Sequence, residues 1–249
     1  MPRYLSTPNL PDTAVCHMLV AEFACSLLES PLADLGVCAV PAPKTMSLPY
    51  RVNDHADMNC RHLGGKELVV FSDTRISPRM NEVGLKVIRS NVAGGEKYPA
   101  DAGLNALLLS GFVFHKTEIT DPVLCTALAE RKYEPVHVNQ GYTACSVAIV
   151  NENAVITADV GIADCAESIG LDVLRITPGY ICLPGYDYGF IGGACGKIAY
   201  DRIAFTGTLS HHPDEKRILA FLTAQGVEPV FLTDTPCFDC GGLIPVTQL

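Results

Sequence analysis

Two cysteines near residue 240 are the first candidates for covalent chemistry. The segment Cys237-Phe238-Asp239-Cys240 stands just before GGLIPV, a short apolar run typical of a strand. The thiolate is the nucleophilic form of cysteine. A redox dithiol at this spacing normally opens a helix, whereas a strand follows here, so the pair indicates either a nucleophile or two buried thiols.

A second cluster of polar side chains runs from His55 to His62 and reads HADMNCRH. In an extended segment alternate side chains share one face, which would put His55, Asp57 and Asn59 together. A histidine beside a carboxylate can transfer protons near neutral pH or bind a metal. A solvated loop is the open alternative.

Three further segments carry single candidates. Asp101, in YPAD, is a potential ligand or a turn residue. Asp187 lies in the glycine- and tyrosine-rich loop PGYDYG, which we interpret as mainly structural, with the lip of a channel as the alternative. Cys145 ends the segment YTAC. A zinc site is also conceivable from mixed thiolate and imidazole ligands, although the spacing fits no known zinc module. Its ligands would be Cys60, His62, Cys237 and Cys240.

The composition restricts the function classes. Of 249 residues, 48% are apolar, and 27 acidic against 18 basic residues give a net charge of −9. Without a run of lysine and arginine, the chain lacks the basic footprint of a nucleic-acid-binding protein. An acidic chain suits a small cationic ligand. We predict one domain over residues 1–249, no nucleic acid or membrane partner and no cofactor, and leave the oligomeric state open.

The cysteine content points to a reducing compartment. Eleven cysteines at irregular spacing do not resemble a secreted disulfide framework, so most are expected to be buried thiols. The first residues lack a signal-peptide core, and no apolar run reaches the length of about 18 residues that a membrane span needs. The sequence therefore predicts a cytoplasmic protein.

The elements that must position these side chains recur along the chain. Residues 145–178 read as a hairpin (SVAIV, AVITAD), a helix (IADCAESIG) and a strand (LDVLRITP). From residue 196 the same order returns as KIAY, IAFTG, PDEKRILAFLTAQG and VEPVFLTD. Two earlier copies give a period of roughly forty to fifty residues, which is typical of propellers.

The two ends of the sequence together supply a fifth copy. GGLIPV provides one strand, and VCHMLVA, EFACSLLESPLADLG and VCAVPAP provide a strand, a helix and a strand. A ring closed in this way leaves no exposed sheet edge. We therefore predict a five-unit α/β propeller, with an ordinary α/β sandwich as the alternative. Its approximate units are residues 1–50 plus 237–249, 51–97, 98–140, 141–186 and 187–236.

This repeat order resembles the pentein fold of guanidine-modifying enzymes. Three segments at unit starts share in the resemblance, namely YPADAGLNALLL, DYGFIGGACG and DTPCFDCGGLIPV. The stretch from GYTACSVAIV to GFIGGACG is most similar to an uncharacterised bacterial family of that fold group. The resemblance implies a hydrolase or amidinotransferase that acts on a guanidine or amidine compound. It further implies a cysteine thiolate near the chain end that attacks the guanidinium carbon, a histidine that relays protons, and acidic residues that hold the cation.

Matched to this sequence, the resemblance makes Cys240 the candidate nucleophile, with Cys237 as its rival. His55 is the candidate proton relay, and Asp57, Asp101 and Asp239 are the candidate substrate ligands. One departure matters: where these enzymes carry their catalytic histidine, this chain has Tyr142-Thr143-Ala144-Cys145. Either His55 serves from another unit, or Cys145 and Cys240 do different chemistry, or the protein binds a small molecule or protein partner without catalysis.

Overall fold

The computed structural model describes residues 2–249 and shows the mixed α/β fold that the sequence predicts. In chain order its strands are β1 (Arg3–Tyr4), β2 (Val15–Val20), β3 (Cys38–Pro41), β4 (Lys44–Thr45), β5 (Cys60–His62), β6 (Glu67–Val70), β7 (Thr74–Arg75), β8 (Lys86–Arg89), β9 (Leu107–Leu109), β10 (Phe112–His115), β11 (Glu134–His137), β12 (Val147–Asn151), β13 (Ala154–Thr157), β14 (Asp172–Arg175), β15 (Cys195–Ala199), β16 (Arg202–Phe205), β17 (Glu228–Phe231) and β18 (Ile244–Gln248). The helices are α1 (Glu22–Asp34), α2 (Ala56–Asn59), α3 (Pro78–Val83), α4 (Pro122–Glu130), α5 (Thr143–Ser146), α6 (Val160–Ser168) and α7 (Glu215–Ala224), with 3₁₀ turns at Thr117–Ile119 and Gly192–Ala194.

Four three-stranded sheets share one strand order: β5-β6-β8, β9-β10-β11, β12-β13-β14 and β15-β16-β17. In each sheet the first two strands are antiparallel and the third pairs in parallel with the second. A fifth sheet repeats this order with distant segments, since β18 pairs antiparallel with β2, and β2 pairs in parallel with β3. β1 adds an edge strand to β18, and β4 pairs with β7.

The longer helices make the crossovers that parallel strands require. α1, α3, α4, α6 and α7 each precede the third strand of a sheet. Local sequence fixes their starts: the Asp121 carboxylate accepts from the N–H groups of Val123 and Leu124, and Pro122 occupies the first turn of α4. The predicted helix PDEKRILAFLTAQG starts at Pro213, whereas α7 begins at Glu215 after Asp214.

The helices also join neighbouring sheets. Leu28 and Leu32 of α1 are fully buried in an apolar cluster with Val20 and Ala39 of their own sheet and Ala204 of β16. Burying one such leucine stabilises the fold by about 1.5–3 kcal/mol. No helix within residues 2–249 is long and apolar enough to cross a membrane.

Short helical turns precede three of the first strands. α2 leads into β5, α5 leads into β12, and the 3₁₀ turn Gly192–Ala194 leads into β15. These turns and the loop before β18 carry buried polar side chains, among them Asp57, Thr143 and Asp239. The fold therefore gathers polar groups from distant parts of the sequence.

Candidate active-site cavity

A cavity of about 290 Å³ lies among these turns. Its titratable wall residues are His55, Asp57, Asp101, Tyr142, Cys145, Tyr186, Asp187, Tyr188 and Asp239, and its apolar wall residues are Val52, Met58, Leu183 and Phe190. Four carboxyl groups thus border this space, while no lysine or arginine of the described chain does. Such a wall attracts cations.

Asp57 is the most strongly perturbed acid in the wall. It lies in the first turn of α2, is 3% exposed, and neither of its carboxylate oxygens has a hydrogen-bond partner in the described chain. Burial and the nearby Asp239 carboxylate raise the pKa of Asp57 to about 8, although the Arg61 guanidinium opposes the rise. Asp57 is therefore protonated over most of the neutral range.

The surroundings of Asp57 differ from the expected extended segment. Residues 56–59 form a helical turn, so the predicted alternation of His55, Asp57 and Asn59 is wrong. Asn59 instead donates from Nδ2 to the His55 carbonyl oxygen at 2.6 Å. The buried Arg61 guanidinium donates to the Asp57 carbonyl oxygen at 3.0 Å and to the Leu104 carbonyl oxygen at 3.1 Å. His55 and Asp57 still border one cavity.

Asp239 is held by backbone groups. The N–H of Phe190 donates to Oδ2, and the N–H of Gly241 donates to Oδ1, each at 2.9 Å. A Cβ atom on Gly193 would lie 2.1 Å from Oδ1 of Asp239, so only glycine leaves room for this carboxylate. The fold thus fixes the carboxylate position through main-chain atoms.

His55 lies next to Asp239 in the cavity wall. Its Nδ1 is 3.7 Å from Oδ1 of Asp239, and its ring stacks on Phe23 with 5.9 Å between ring centroids. Burial lowers the pKa of His55 more than the Asp239 and Asp54 carboxylates raise it, so the ring is neutral near pH 7. Nε2 is buried without a partner in the described chain. Because Asp239 favours a proton on Nδ1, Nε2 is available to accept one.

Asp101 and Tyr142 form a hydrogen-bonded pair in the same wall. The Tyr142 hydroxyl donates to Oδ2 of Asp101 at 2.9 Å, while Oδ1 of Asp101 is buried without a partner in the described chain. Burial raises the pKa of Asp101 despite the Tyr142 hydrogen bond. Asp101 therefore contributes an acceptor that a ligand donor can satisfy.

Cys145 brings a thiol to the same wall. The fully buried side chain of Asn105 holds it, because Oδ1 of Asn105 accepts from the N–H groups of Ala144 and Cys145 at 2.9 and 3.3 Å. Sγ of Cys145 lies 3.6 Å from that oxygen. Burial and the carboxylates of Asp57 and Asp239 raise the pKa of the Cys145 thiol well above its usual value.

The cysteine pair singled out near residue 240 lies elsewhere. Cys240 is fully buried in the apolar cluster that contains Met18 and Leu243, and it does not border the cavity. Cys237 is buried beside the Thr206 hydroxyl at 3.5 Å. Burial raises the pKa of both thiols. The structure thus brings together His55, Asp57, Asp101 and Asp239, and leaves Cys240 outside this wall.

Two other sequence interpretations concern possible site residues. Asp187, in the loop interpreted as mainly structural, borders the cavity together with Tyr186 and Tyr188. The zinc alternative fails, because residues 2–249 contain no group of three or more His, Cys, Asp or Glu side chains arranged to hold a metal ion. His62 instead contacts the Gly65 carbonyl oxygen through Nε2 at 3.0 Å.

Sequence comparison identifies the family of this chain. A family model described as a family of unknown function, DUF6873, matches residues 19–244. The chain therefore belongs to this family. The curated proteins provide no sequence match.

Structure comparison identifies the fold. Dimethylarginine dimethylaminohydrolase from Pseudomonas aeruginosa, a mutant in complex with citrulline, has a TM-score of 0.55 at 8% identity over 92% of this chain and 96% of its own. Inosamine-phosphate amidinotransferase from Streptomyces griseus has a TM-score of 0.53 at 10% identity over 96% and 94%. Agmatine deiminase from C. jejuni has a TM-score of 0.54 at 7% identity over 98% and 96%. The resemblance to pentein-fold guanidine-modifying enzymes is confirmed at the level of the fold.

Proposed function

We propose that this member of the DUF6873 family is an enzyme that hydrolyses or transfers the amidine group of a small cationic guanidine or amidine compound through a cysteine thiolate. One observation carries the proposal. Asp57, Asp101 and His55 each have a buried, unpartnered polar atom and border the same cavity. Buried polar atoms normally have partners, so a ligand with several N–H donors explains this arrangement.

A guanidinium or amidinium cation fits these acceptors by shape and charge. It is planar and carries several N–H donors, and carboxylates hold such groups with paired hydrogen bonds. Asp57 offers two free oxygens and Asp101 offers one. A bound positive charge also relieves the repulsion between Asp57 and Asp239 that raises the Asp57 pKa. Binding would therefore release the Asp57 proton.

The remaining wall suits the flat faces of the same cation. Tyr186, Tyr188 and Phe190 border the cavity from the loop that precedes the Gly192–Ala194 turn. Aromatic faces attract cations and make the surroundings of a bound cation less polar. Charged hydrogen bonds gain strength in such surroundings.

The wall also contains the groups that the reaction needs. A cysteine thiol gives its proton to Nε2 of His55, and the thiolate forms a bond to the guanidinium carbon. The C–N bond to the departing amine then breaks as the His55 imidazolium returns the proton to that nitrogen. In hydrolysis, water gives one proton to Nε2 of His55 and forms a C–O bond to this carbon. The C–S bond then breaks with its electron pair on sulfur, sulfur takes the hydroxyl proton, and a urea and the thiol are left, while the released amine takes the proton from His55. In transfer, a second amine takes the place of water.

The proposal includes the five-unit arrangement, with one domain over residues 1–249. The five sheets of equal strand order support a ring of five units, and the pairing of β18 with β2 supports a fifth unit shared by the two ends.

The structural neighbours named above act on guanidine compounds or bind citrulline, by their titles. The cytoplasmic location, the bacterial origin and the lack of nucleic-acid partners stay predictions from the sequence.

A non-catalytic binding protein is the second candidate. Burial raises the pKa of the Cys145 and Cys240 thiols, so neither is a ready thiolate in the free protein. The third unit start has tyrosine, threonine, alanine and cysteine where the resembling enzymes have a histidine. The same acidic cavity would then bind a cation without transforming it.

The test compares methylguanidine with methylurea, its neutral counterpart of the same shape. Calorimetry should show that methylguanidine binds about 100-fold more tightly, because its charged hydrogen bonds are lost in methylurea. Asp57→Asn should remove most of this preference, and the exposed Asp234→Asn should keep it. Equal affinity for the two compounds would overturn the proposal.

Turnover separates the enzyme from the binding protein. A panel of guanidine and amidine compounds, agmatine and arginine among them, is incubated with the protein, and released ammonia or amine is measured. We expect one class of compound to be consumed with formation of a urea or a transferred amidine. Tight binding of methylguanidine with no consumption of any compound would favour the binding protein.

A further inference from the structure

We propose that Cys145 is the nucleophile of this cavity and that His55, oriented by Asp239, accepts its proton. The inference rests on the proposed function and deepens it, because it moves the covalent step from the loop before β18 to the turn before β12. It also departs from the sequence prediction, in which Cys240 is the nucleophile.

Position in the wall is the first argument. Cys145 borders the cavity together with His55, Asp57 and Asp239, whereas neither Cys237 nor Cys240 does. Cys240 has no exposed surface and lies among apolar residues such as Met18 and Leu243. A nucleophile must reach the carbon between the ligand nitrogens, and those nitrogens are held by Asp57 and Asp101. Cys145 meets this requirement of position.

Asn105 holds the turn that carries the Cys145 thiol. Asn105 is fully buried, and its Oδ1 accepts from the backbone of Ala144 and Cys145, which fixes the turn that carries the thiol. Nδ2 of Asn105 lies 3.3 Å from Sδ of Met58, which also borders the cavity. The thiol is therefore anchored to the turn that carries Asp57.

His55 offers an acceptor for the Cys145 proton. Nε2 of His55 is buried and unpartnered in the described chain, and Nδ1 faces the Asp239 carboxylate at 3.7 Å. Proton transfer to Nε2 places the positive charge beside that carboxylate. Burial is the main cause of the raised pKa of the Cys145 thiol, and the Asp57 and Asp239 carboxylates add to it. The positive charge of a cation bound next to Sγ favours the thiolate. The thiol thus becomes reactive when a cation is bound.

Chloroacetamidine and chloroacetamide test this mechanism as a matched pair. Both have the same shape and the same leaving group, but only the amidine is a cation. With either reagent, Sγ forms a bond to the methylene carbon, the C–Cl bond breaks, chloride leaves with the electron pair, and the thiol proton goes to His55. Cation-dependent activation predicts a large difference in rate between the two reagents at one site.

The experiment measures the labelling rate of each of the eleven cysteines by peptide mass spectrometry at pH 7, on the full chain. We expect the amidine to label Cys145 about 100-fold faster than the amide does. Methylguanidine should protect Cys145. Cys240→Ser should label like the unmodified chain, and Cys145→Ser should lose the fast phase. The unmodified chain by itself shows which cysteine reacts with chloroacetamidine. The test therefore stays decisive even if one of the variants folds poorly.

Two outcomes would overturn the inference and have different meanings for the proposed function. Fast, cation-selective labelling at Cys240 or Cys237 would remove Cys145 as the nucleophile and leave the guanidine enzyme standing. Slow labelling of every cysteine, with methylguanidine still bound more tightly than methylurea, would remove the covalent step and leave a cation-binding cavity.

Discussion

Two cysteine-bearing turns, one before β12 and one before β18, present different atoms to the same cavity. The Tyr142–Ser146 turn is helical and brings the Cys145 thiol to the wall. In the 237–242 turn, Gly241 and Gly242 have φ angles of +75° and +78°, and the wall receives the Asp239 carboxylate while Cys240 is buried behind it. The backbone of each turn, and not the presence of a cysteine, therefore decides which group reaches the cavity.

The largest expected effect comes from His55, the proposed proton acceptor, which borders the cavity together with Cys145 and Asp239. His55→Gln should lower kcat for the active guanidine compound by about 100- to 10,000-fold, because proton transfer to the departing amine is lost. The affinity for methylguanidine should change far less. Steady-state kinetics and calorimetry measure the two quantities. His137→Gln, at an exposed position, is the control. An unchanged kcat in His55→Gln would contradict proton transfer by His55.

Asp57 should show the next largest effect. Asp57→Asn should weaken methylguanidine binding by about 10- to 100-fold, since a hydrogen bond to a charged group contributes about 1.5–3 kcal/mol. The same change should stabilise the free protein at pH 8. The raised pKa means that the folded chain binds the Asp57 proton more tightly than the unfolded chain does, so stability falls as the pH rises from about 4 towards 8.

Thermal unfolding at pH 5 and pH 8 measures this stability difference. The melting temperature of Asp57→Asn should exceed that of the unmodified chain at pH 8 by more than it does at pH 5. The exposed Asp234→Asn is the matched control for the loss of one charge. A lower melting temperature of Asp57→Asn at pH 8 would show that the carboxyl group is not a destabilising element of the cavity.

Gly193 packs against the Asp239 carboxylate, which belongs to the turn before β18. Gly193→Ala should lower the free energy of unfolding by about 1–3 kcal/mol, because its Cβ atom would overlap the Asp239 carboxylate. Gly161→Ala in α6, where the added Cβ meets only ordinary contacts, should be neutral or slightly stabilising. Urea unfolding compares the two variants, and equal stability would argue against a fixed Asp239.

The smallest expected effect concerns the Tyr142 hydroxyl beside the Cys145 turn. Tyr142→Phe removes its hydrogen bond to Asp101, so methylguanidine affinity should fall by about 2- to 10-fold. Calorimetry measures the change. Tyr200→Phe, at a residue that is 71% exposed and outside the cavity wall, is the control. A loss as large as that of Asp57→Asn would mean that Asp101 is the principal ligand.

Much of the fold could be predicted because local signals agree with the packing. Asp121 and Pro122 mark the start of α4, and the order of hairpin, helix and strand recurs in the sequence as it does in the sheets. His55, Asp57, Asp101 and Asp239 could be named from the unit starts, since the resemblance to the pentein fold implies that these turns meet. The helical turn at residues 56–59 escaped prediction, because its four residues carry no capping signal.

The choice between Cys145 and Cys240 could not be made from the sequence. It depends on long-range packing, in which Asn105 anchors the turn of Cys145 and Cys240 is buried in the apolar cluster that also contains α1 residues. The role of Asp187 in the wall likewise depends on how the loop from Leu183 to Phe190 folds over the turns. Neither arrangement has a local sequence signal.

Proton release on cation binding tests the central claim most directly, namely that a guanidinium group binds beside Asp57. Methylguanidine is titrated into the protein by calorimetry at pH 7 in two buffers that differ in ionisation enthalpy. For the unmodified chain we expect a release of close to one proton per bound cation, because Asp57 loses its proton when the cation binds. For Asp57→Asn we expect almost no proton release. Binding without proton release from the unmodified chain, or equal release from both proteins, would contradict the account.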